Sequence, residues 1–238
     1  MALPIITSPH SIFEKAVPST NQKLSFRRMK VSDEKILLFA KESSDTSEIY
    51  KAILQVIQNC ILTPGINVRD LCLFDIEYLF LHIRGQSINN IIDLSFTDAE
   101  DEQKYEFKIN IQDIEVQKLN TIPKRIELSD KAGIIMKYPS AAVYDDIEFL
   151  SGSENSYEKL IVKCIDSIYD KETTHKATDY TDKELIDWVN NLEVKEFNKI
   201  DNFMSNLPML KYVINYKNTK GTERTIELAT LNDFFTLH

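Results

Sequence analysis

The hydrophobic and polar positions of residues 46–61 follow the period of an α-helix without a gap. Apolar side chains recur three and four positions apart, which places them on one side of a helix. They are Ile49, Ala52, Ile53, Val56, Ile57 and Cys60. We therefore predict an amphipathic helix that begins near Thr46 or Ser47 and packs one face against a core.

Two neighbouring segments also have helical patterns. Ser32 is a suitable N-cap for the first, since Asp33 and Glu34 would lie in the first turn. Its apolar residues at helical spacing are Ile36, Leu37 and Ala40. The second segment, residues 71–84, is apolar on nearly every side and follows Asp70 as its predicted cap. Three helices with short connections predict a compact helical subdomain.

Short runs of β-branched and aromatic residues, joined in pairs by polar turns, predict antiparallel hairpins at four places. The paired runs are residues 12–17 with 23–29, 91–96 with 105–111, 125–128 with 133–138, and 210–216 with 222–228. Alternation is clearest in residues 105–111, where apolar Phe107 and Ile109 flank Lys108. We expect that hairpin to have one solvated face.

Helical patterns return between the last two hairpins. One stripe consists of Tyr157, Leu160, Ile161, Cys164, Ile165, Ile168 and Tyr169. Thr181 and Glu184 have the spacing of a capping box, which predicts the start of one long helix running through Phe203. Pro208 would end that helix.

These elements predict an α+β fold with a helical core subdomain, antiparallel β-hairpins and a C-terminal region of helices and a hairpin. We divide the chain into four regions by the kind of element predicted. They are an extended N-terminal arm and hairpin (1–31), the helical subdomain (32–87), a β-hairpin region (88–140), and helices followed by the C-terminal hairpin (141–238).

Charge and composition narrow the classes of partner. Asp and Glu outnumber Lys and Arg by 37 to 28, so the formal net charge of -9 would repel nucleic acid and anionic lipid. No apolar run is long enough to span a membrane, and the opening residues lack the pattern of a secretion signal. The three widely spaced cysteines suit a reducing compartment. We expect a soluble protein without nucleic-acid or membrane partners.

The sequence contains few motifs that are typical of catalytic or cofactor-binding sites. We predict that the protein is not an enzyme and binds no cofactor. The five isolated glycines form no phosphate-binding loop, and the four histidines show no zinc-ligand spacing. His82 with Asp75 could form a catalytic pair, but a histidine satisfied within a helix is the more common case. We expect Asp75 to cap or pair with a neighbouring element.

The acidic connector between the two strands of the second predicted hairpin could in principle bind calcium. Its carboxylates are Asp98, Glu100, Asp101 and Glu102, without the glycine and distal glutamate of an EF-hand loop. We therefore interpret it as a solvated hairpin tip. Binding of metal ions is not predicted anywhere in the chain.

The amino-acid sequence of the helical subdomain resembles that of a known family. The segments FRRMKVSDEKILLFAKES, YKAILQVIQNCI and LCLFDIEYLFLHIRGQS, in this order, are similar to baseplate hub subunits and hub-assembly proteins of T4-like bacteriophages. The resemblance is clearest over residues 12–116 and returns in RTIELATLNDFFTLH at the end of the chain. It implies a structural or assembly protein of a contractile tail, made in the host cytoplasm and binding other hub and tail proteins.

The resemblance supplies no catalytic residue or cofactor, and it leaves two roles open. A hub component would stay in the virion, whereas a tail-assembly chaperone would be absent from the mature particle. Relatives can carry cysteine pairs in their hairpins, but residues 96–105 and 216–221 have none, so a zinc site is not transferred. An enzyme with a scattered site is a third and weaker hypothesis.

Arginine and aromatic side chains are the usual anchors of protein interfaces. On that basis the predicted partner-binding residues are Phe26, Arg27 and Arg28 on the first hairpin and Phe234 with Phe235 near the end, together with the N-terminal arm. Burial in the core is the alternative for the phenylalanines, and for Phe26 it is at least as well supported.

Overall fold

The computed structural model describes residues 12–43, 45–117, 122–145 and 156–229, and it confirms an α+β fold. Within these residues the α-helices are α1 (Val31–Ser43), α2 (Thr46–Cys60), α3 (Leu73–Ser87), α4 (Ser156–Lys163), α5 (Asp182–Asn190) and α6 (Val194–Met204). The strands are β1 (Ile12–Ala16), β2 (Lys23–Arg27), β3 (Ile91–Thr97), β4 (Lys104–Asn110), β5 (Glu115–Gln117), β6 (Arg125–Glu127), β7 (Gly133–Met136), β8 (Ile165–Tyr169), β9 (Thr174–Lys176), β10 (Met209–Lys217) and β11 (Glu223–Leu228).

The three predicted helices of the subdomain are present, and α2 begins at Thr46 as predicted, but the predicted caps Ser32 and Asp70 do not cap α1 and α3. Helix α1 begins at Val31, because the Asp33 carboxylate reaches back to accept the Lys30 backbone N–H. Asp45 caps α2 by accepting the Ser47 N–H. Asp70 does not cap α3 as predicted, because it ends a short 3-10 turn.

Cys72 takes the capping position of α3, and the Asp75 carboxylate accepts the Cys72 backbone N–H. The helix is buried on most of its surface, which agrees with its nearly uniform apolar sequence. It reaches both hydrophobic clusters of the structure: Leu79 and Ile83 lie in the first, and Phe74 lies in the second. Helix α3 is therefore the central core helix.

All four predicted hairpins are present as antiparallel pairs, namely β1–β2, β3–β4, β6–β7 and β10–β11. Two of them extend into larger sheets that the sequence did not predict. Strand β5 joins β10, giving the order β11–β10–β5, and β8 and β9 extend the third hairpin into the order β6–β7–β8–β9.

The predicted helical stripe that ran to Tyr169 is wrong in its second half. Helix α4 ends at Lys163, and Ile165–Tyr169 is strand β8. A spacing of four residues, as between Ile161 and Ile165 or between Ile165 and Tyr169, places side chains on one side of a helix and equally on one face of a strand. Pairing of Ile168 with Ile134 of β7 decides between them, and this contact joins residues distant in sequence.

The long helix predicted from Thr181 is two helices. Its start is confirmed, since the Thr181 hydroxyl accepts the Glu184 N–H and the Glu184 carboxylate accepts the Thr181 N–H. Helix α5 nevertheless ends at Asn190. A second cap follows, in which the Glu196 carboxylate accepts the Glu193 N–H and starts α6.

Candidate protein–protein contact surfaces

The first hairpin holds three of the predicted partner-binding residues, and one of them belongs to the core. Phe26 is fully buried, and its ring stacks on Phe13 with the centroids 5.5 Å apart. On β2 the side chains of Leu24 and Phe26 point to the same, buried side, as strand alternation requires. The core burial that was the alternative for Phe26 is therefore present, and binding of a partner by this residue stays a prediction.

Arg27 holds the hairpin to the helices. Its guanidinium donates to both Asp33 carboxylate oxygens at 2.6 and 3.2 Å. Asp33 also accepts the Lys30 backbone N–H at 2.7 Å and Asn59 Nδ2 at 3.2 Å, so one carboxylate joins β2, α1 and α2. Burial opposes ionisation of Asp33, but the hydrogen bonds from Arg27 and Lys30 outweigh it, and the net effect lowers the pKa of this carboxyl.

Arg28 differs from Arg27, because its Nε atom is buried without a hydrogen-bond partner among the described residues. Binding of other proteins by Arg27 and Arg28 stays a prediction. Phe234, Phe235 and the N-terminal arm lie outside the described residues, and their predicted role likewise stays a prediction.

Helix α1 presents an apolar surface that the sequence interpretation missed. Val31, Leu38 and Phe39 are 69%, 53% and 69% exposed, although the opposite side of the helix is buried through Asp33 and Ala40. Groups of exposed apolar side chains are typical of interaction sites. The signal was present in the sequence, since Leu38 and Phe39 fall outside the stripe formed by the inward-facing residues.

Phe39 also lies beside a groove between α1 and α2. The groove is lined in part by Ile36, Ala40, Ala52 and Gln55. We define the outer face of α1 as Val31, Lys35, Leu38, Phe39 and Glu42, all of which are exposed.

The acidic connector is the predicted solvated tip only in part, since Glu100 and Glu102 are exposed and Asp98 is buried. Asp98 is 1% exposed; its carboxylate accepts the Tyr216 hydroxyl at 2.6 Å and two N–H groups of Arg224 at 3.2 Å each. The hydrogen bond from Tyr216 is the main reason that the pKa of Asp98 lies below its usual value. Burial and this same bond raise the pKa of Tyr216 to about 12.

Further contacts bind the same tip to the β10–β11 loop. Asp101 accepts the Thr219 backbone N–H at 2.9 Å and its hydroxyl at 2.7 Å, and Glu100 accepts Asn218 Nδ2 at 2.7 Å. We call the contacts of Asp98, Glu100 and Asp101 with residues 216–224 the hairpin clasp. Three of the four carboxylates, those of Asp98, Glu100 and Asp101, thus accept from donors of the last hairpin, more than 100 residues away, which local sequence could not reveal.

Both members of the candidate catalytic pair, Asp75 and His82, are buried. Asp75 is fully buried and accepts the Ser19 N–H and hydroxyl at 2.9 and 2.6 Å, besides the Cys72 N–H at 3.1 Å. It joins neighbouring elements, as expected. His82 is 3% exposed and packs against Tyr78, and burial with the nearby Lys15 charge lowers its pKa to about 3. Its imidazole is therefore neutral within the core.

The described residues contain no group of three His, Cys, Asp or Glu side chains placed to hold a metal ion. Within the same part of the chain, no helix has the length and apolar character needed to cross a bilayer. What the described surface offers is exposed apolar and charged side chains, with the outer face of α1 as the clearest group. Such a surface is suited to binding other proteins.

Comparison with models of protein families gives a match that covers almost the whole chain. The family model described as T4 bacteriophage base plate protein matches residues 8–236. No curated protein and no solved structure matches the chain. A base plate family agrees with a structural, non-enzymatic role and with other phage baseplate proteins as partners. The chain belongs to the T4 bacteriophage base plate protein family.

Proposed function

We propose that this chain contributes to formation of the central hub of the contractile tail's baseplate by binding other hub and tail proteins. The observation that carries the proposal is the base plate family match over residues 8–236. The resemblance of the helical subdomain to hub subunits and hub-assembly proteins supports the hub in particular. The protein acts in the host cytoplasm during assembly.

Two forms of this function differ in the fate of the protein. A hub component remains in the finished tail, whereas an assembly chaperone binds a hub protein and leaves. Quantitative mass spectrometry of purified particles separates them, because a component appears at a fixed copy number per tail and a chaperone is missing. We expect the fixed copy number.

Co-expression with the neighbouring tail proteins, followed by pull-down, tests the function itself. We expect at least one hub protein to co-purify with the full chain. A chain that folds but retains none of the hub and tail proteins contradicts both forms of the proposal.

The predicted partner-binding residues give variants for the same pull-down. Arg28→Gln removes a charge whose Nε has no partner among the described residues, and the double change Phe234→Ser with Phe235→Ser removes the terminal aromatics. We expect each to weaken hub-protein binding. Val194→Ser is the control, since Val194 is 75% exposed on α6 and lies outside the predicted contact regions.

A further inference from the structure

The outer face of α1 has a narrow and regular geometry. At 100° per residue, its five positions (31, 35, 38, 39 and 42) fall within an arc of about 100° on the helix. Asp33 and Ala40, the buried positions, lie on the opposite side. The apolar side chains of this face therefore contribute little to the core. Leu38 and Phe39 are neighbours and form the apolar strip of this face, whereas Val31 lies about 10 Å away along the axis, beyond Lys35.

Charges at the two ends of the strip are opposite in sign. Lys35 lies toward the N-terminal end and Glu42 lies toward the C-terminal end, about 10 Å apart along the axis, with Leu38 and Phe39 between them. If a second copy of this helix packs antiparallel, Lys35 of each copy meets Glu42 of the other, and Leu38 meets Phe39. A parallel arrangement would instead bring like charges together.

We propose that the outer face of α1 binds a second copy of the same chain, with the two α1 helices antiparallel about a two-fold axis between Leu38 and Phe39. Leu38 and Phe39 are then covered and both charges find a partner of opposite sign, whereas Val31 lies outside the paired segment 35–42. Such a self-complementary patch is what a two-fold interface requires. The proposal goes beyond the hub function and does not depend on it.

The dimer is expected to be weak. One face of a 13-residue helix buries less than the roughly 1,200 Å² at the lower limit of a standard interface. We therefore expect a monomer–dimer equilibrium that is visible at concentrations near 100 micromolar, on the order of the affinities of small interfaces. Analytical ultracentrifugation of the full chain over a range of concentrations measures it.

Charge reversal tests the register. Lys35→Glu places two acidic residues opposite each other at both ends of the contact, and Glu42→Lys places two basic residues there. We expect each variant alone to dimerise about tenfold more weakly. Mixing the two variants restores opposite charges at both ends, so the mixture should form a heterodimer about as strong as the wild-type dimer.

A pair of apolar changes tests the strip itself. Leu38→Gln should weaken dimerisation, whereas Val194→Ser, an exposed apolar residue of α6, should leave it unchanged. Both positions are exposed, and circular dichroism with urea unfolding checks that each variant is folded.

Three results would overturn the proposal. The first is a chain that stays monomeric at all concentrations. The second is a dimer that is insensitive to Leu38→Gln, and the third is a charge-reversed mixture no stronger than its components. A monomer whose Leu38→Gln variant loses a co-expressed baseplate protein would show that the strip binds that protein in place of a second copy.

Discussion

The Asp33 carboxylate joins three elements, and its removal should therefore destabilise the whole helical subdomain. The Asp33→Asn change keeps the shape of the side chain but removes the charge that faces Arg27 and two of the acceptor positions used by its neighbours. The side chain of Asp33 is 2% exposed and that of Arg27 is 20% exposed. Water therefore cannot fully replace the lost contact.

The expected loss follows from these exposures. Breaking a buried ion pair by removing one partner costs about 3–5 kcal/mol. Arg27 retains some contact with solvent, which reduces the cost, and the Lys30 N–H and Asn59 amide each lose a charged acceptor, which adds to it. We expect Asp33→Asn to lower the free energy of unfolding by about 2–4 kcal/mol.

Urea unfolding followed by circular dichroism measures this loss as a shift of the midpoint at constant slope. Glu48→Gln is the matched control, because it breaks the Lys51–Glu48 pair, whose side chains are 42% and 54% exposed. An exposed pair of this kind contributes less than about 1 kcal/mol. If Asp33→Asn costs no more than Glu48→Gln at neutral pH, the role assigned to the Asp33 network is wrong.

The sign of the pH dependence gives an independent check. The pKa of Asp33 is lower in the folded protein than its usual value of 3.8, so the unfolded state binds more protons as the pH falls. The contribution of Asp33 is fully present above about pH 4 and is lost as the pH falls through the folded pKa. The gap between wild type and Asp33→Asn should therefore narrow below pH 4, and a gap that widens there would refute the reasoning.

Three further changes test other parts of the fold. A Cβ at Gly133 would clash with Tyr169 Oη and with the Ile126 carbonyl oxygen, so Gly133→Ala should destabilise the four-stranded sheet by about 1–3 kcal/mol in urea unfolding. Phe26→Ala should cost about 3–5 kcal/mol because the ring is fully buried, whereas Phe26→Leu should fold and still bind hub proteins in the pull-down. Asp98→Asn should loosen the hairpin clasp and speed hydrogen exchange of the Thr219 amide, measured by NMR.

Controls for these changes come from exposed positions of the same residue types. Phe39→Leu replaces a phenylalanine that is 69% exposed and should leave the stability within about 0.5 kcal/mol of wild type. Asp130→Asn changes an exposed carboxylate in the β6–β7 turn and should leave the Thr219 exchange rate unchanged. Equal effects of Asp98→Asn and Asp130→Asn would mean that the clasp does not hold the two hairpins together.

The parts of the fold that the sequence predicted correctly depend on contacts between near neighbours. Hairpins such as β3–β4 have alternating strands and a polar turn, and helix α2 has an unbroken apolar stripe. The cap at Thr181 involves groups three residues apart. In each case the interacting residues lie within one short segment, so the local pattern of residues is sufficient to predict the element.

The parts that the sequence did not predict depend on contacts between distant segments. Strand β5 is three residues long and pairs with β10 almost 100 residues later, and nothing in its own composition indicates this. Asp98 receives the Tyr216 hydroxyl and the Arg224 guanidinium from the last hairpin. The sequence alone does not show whether an aspartate side chain is buried or solvated, because the packing of distant segments decides this.

The two sides of helix α1 are expected to have different roles, the inner side in stability and the outer face in association. On its inner side Asp33 is bonded to β2 and α2, which fixes how the helix is rotated on the subdomain. That rotation determines which residues face outward, so it directs Leu38 and Phe39 to the surface. Substitutions on the outer face should change association without changing the free energy of unfolding, whereas Asp33→Asn should change both. If the outer-face variants and Asp33→Asn changed association and the free energy of unfolding in the same proportion, the two faces of α1 would not have separate roles.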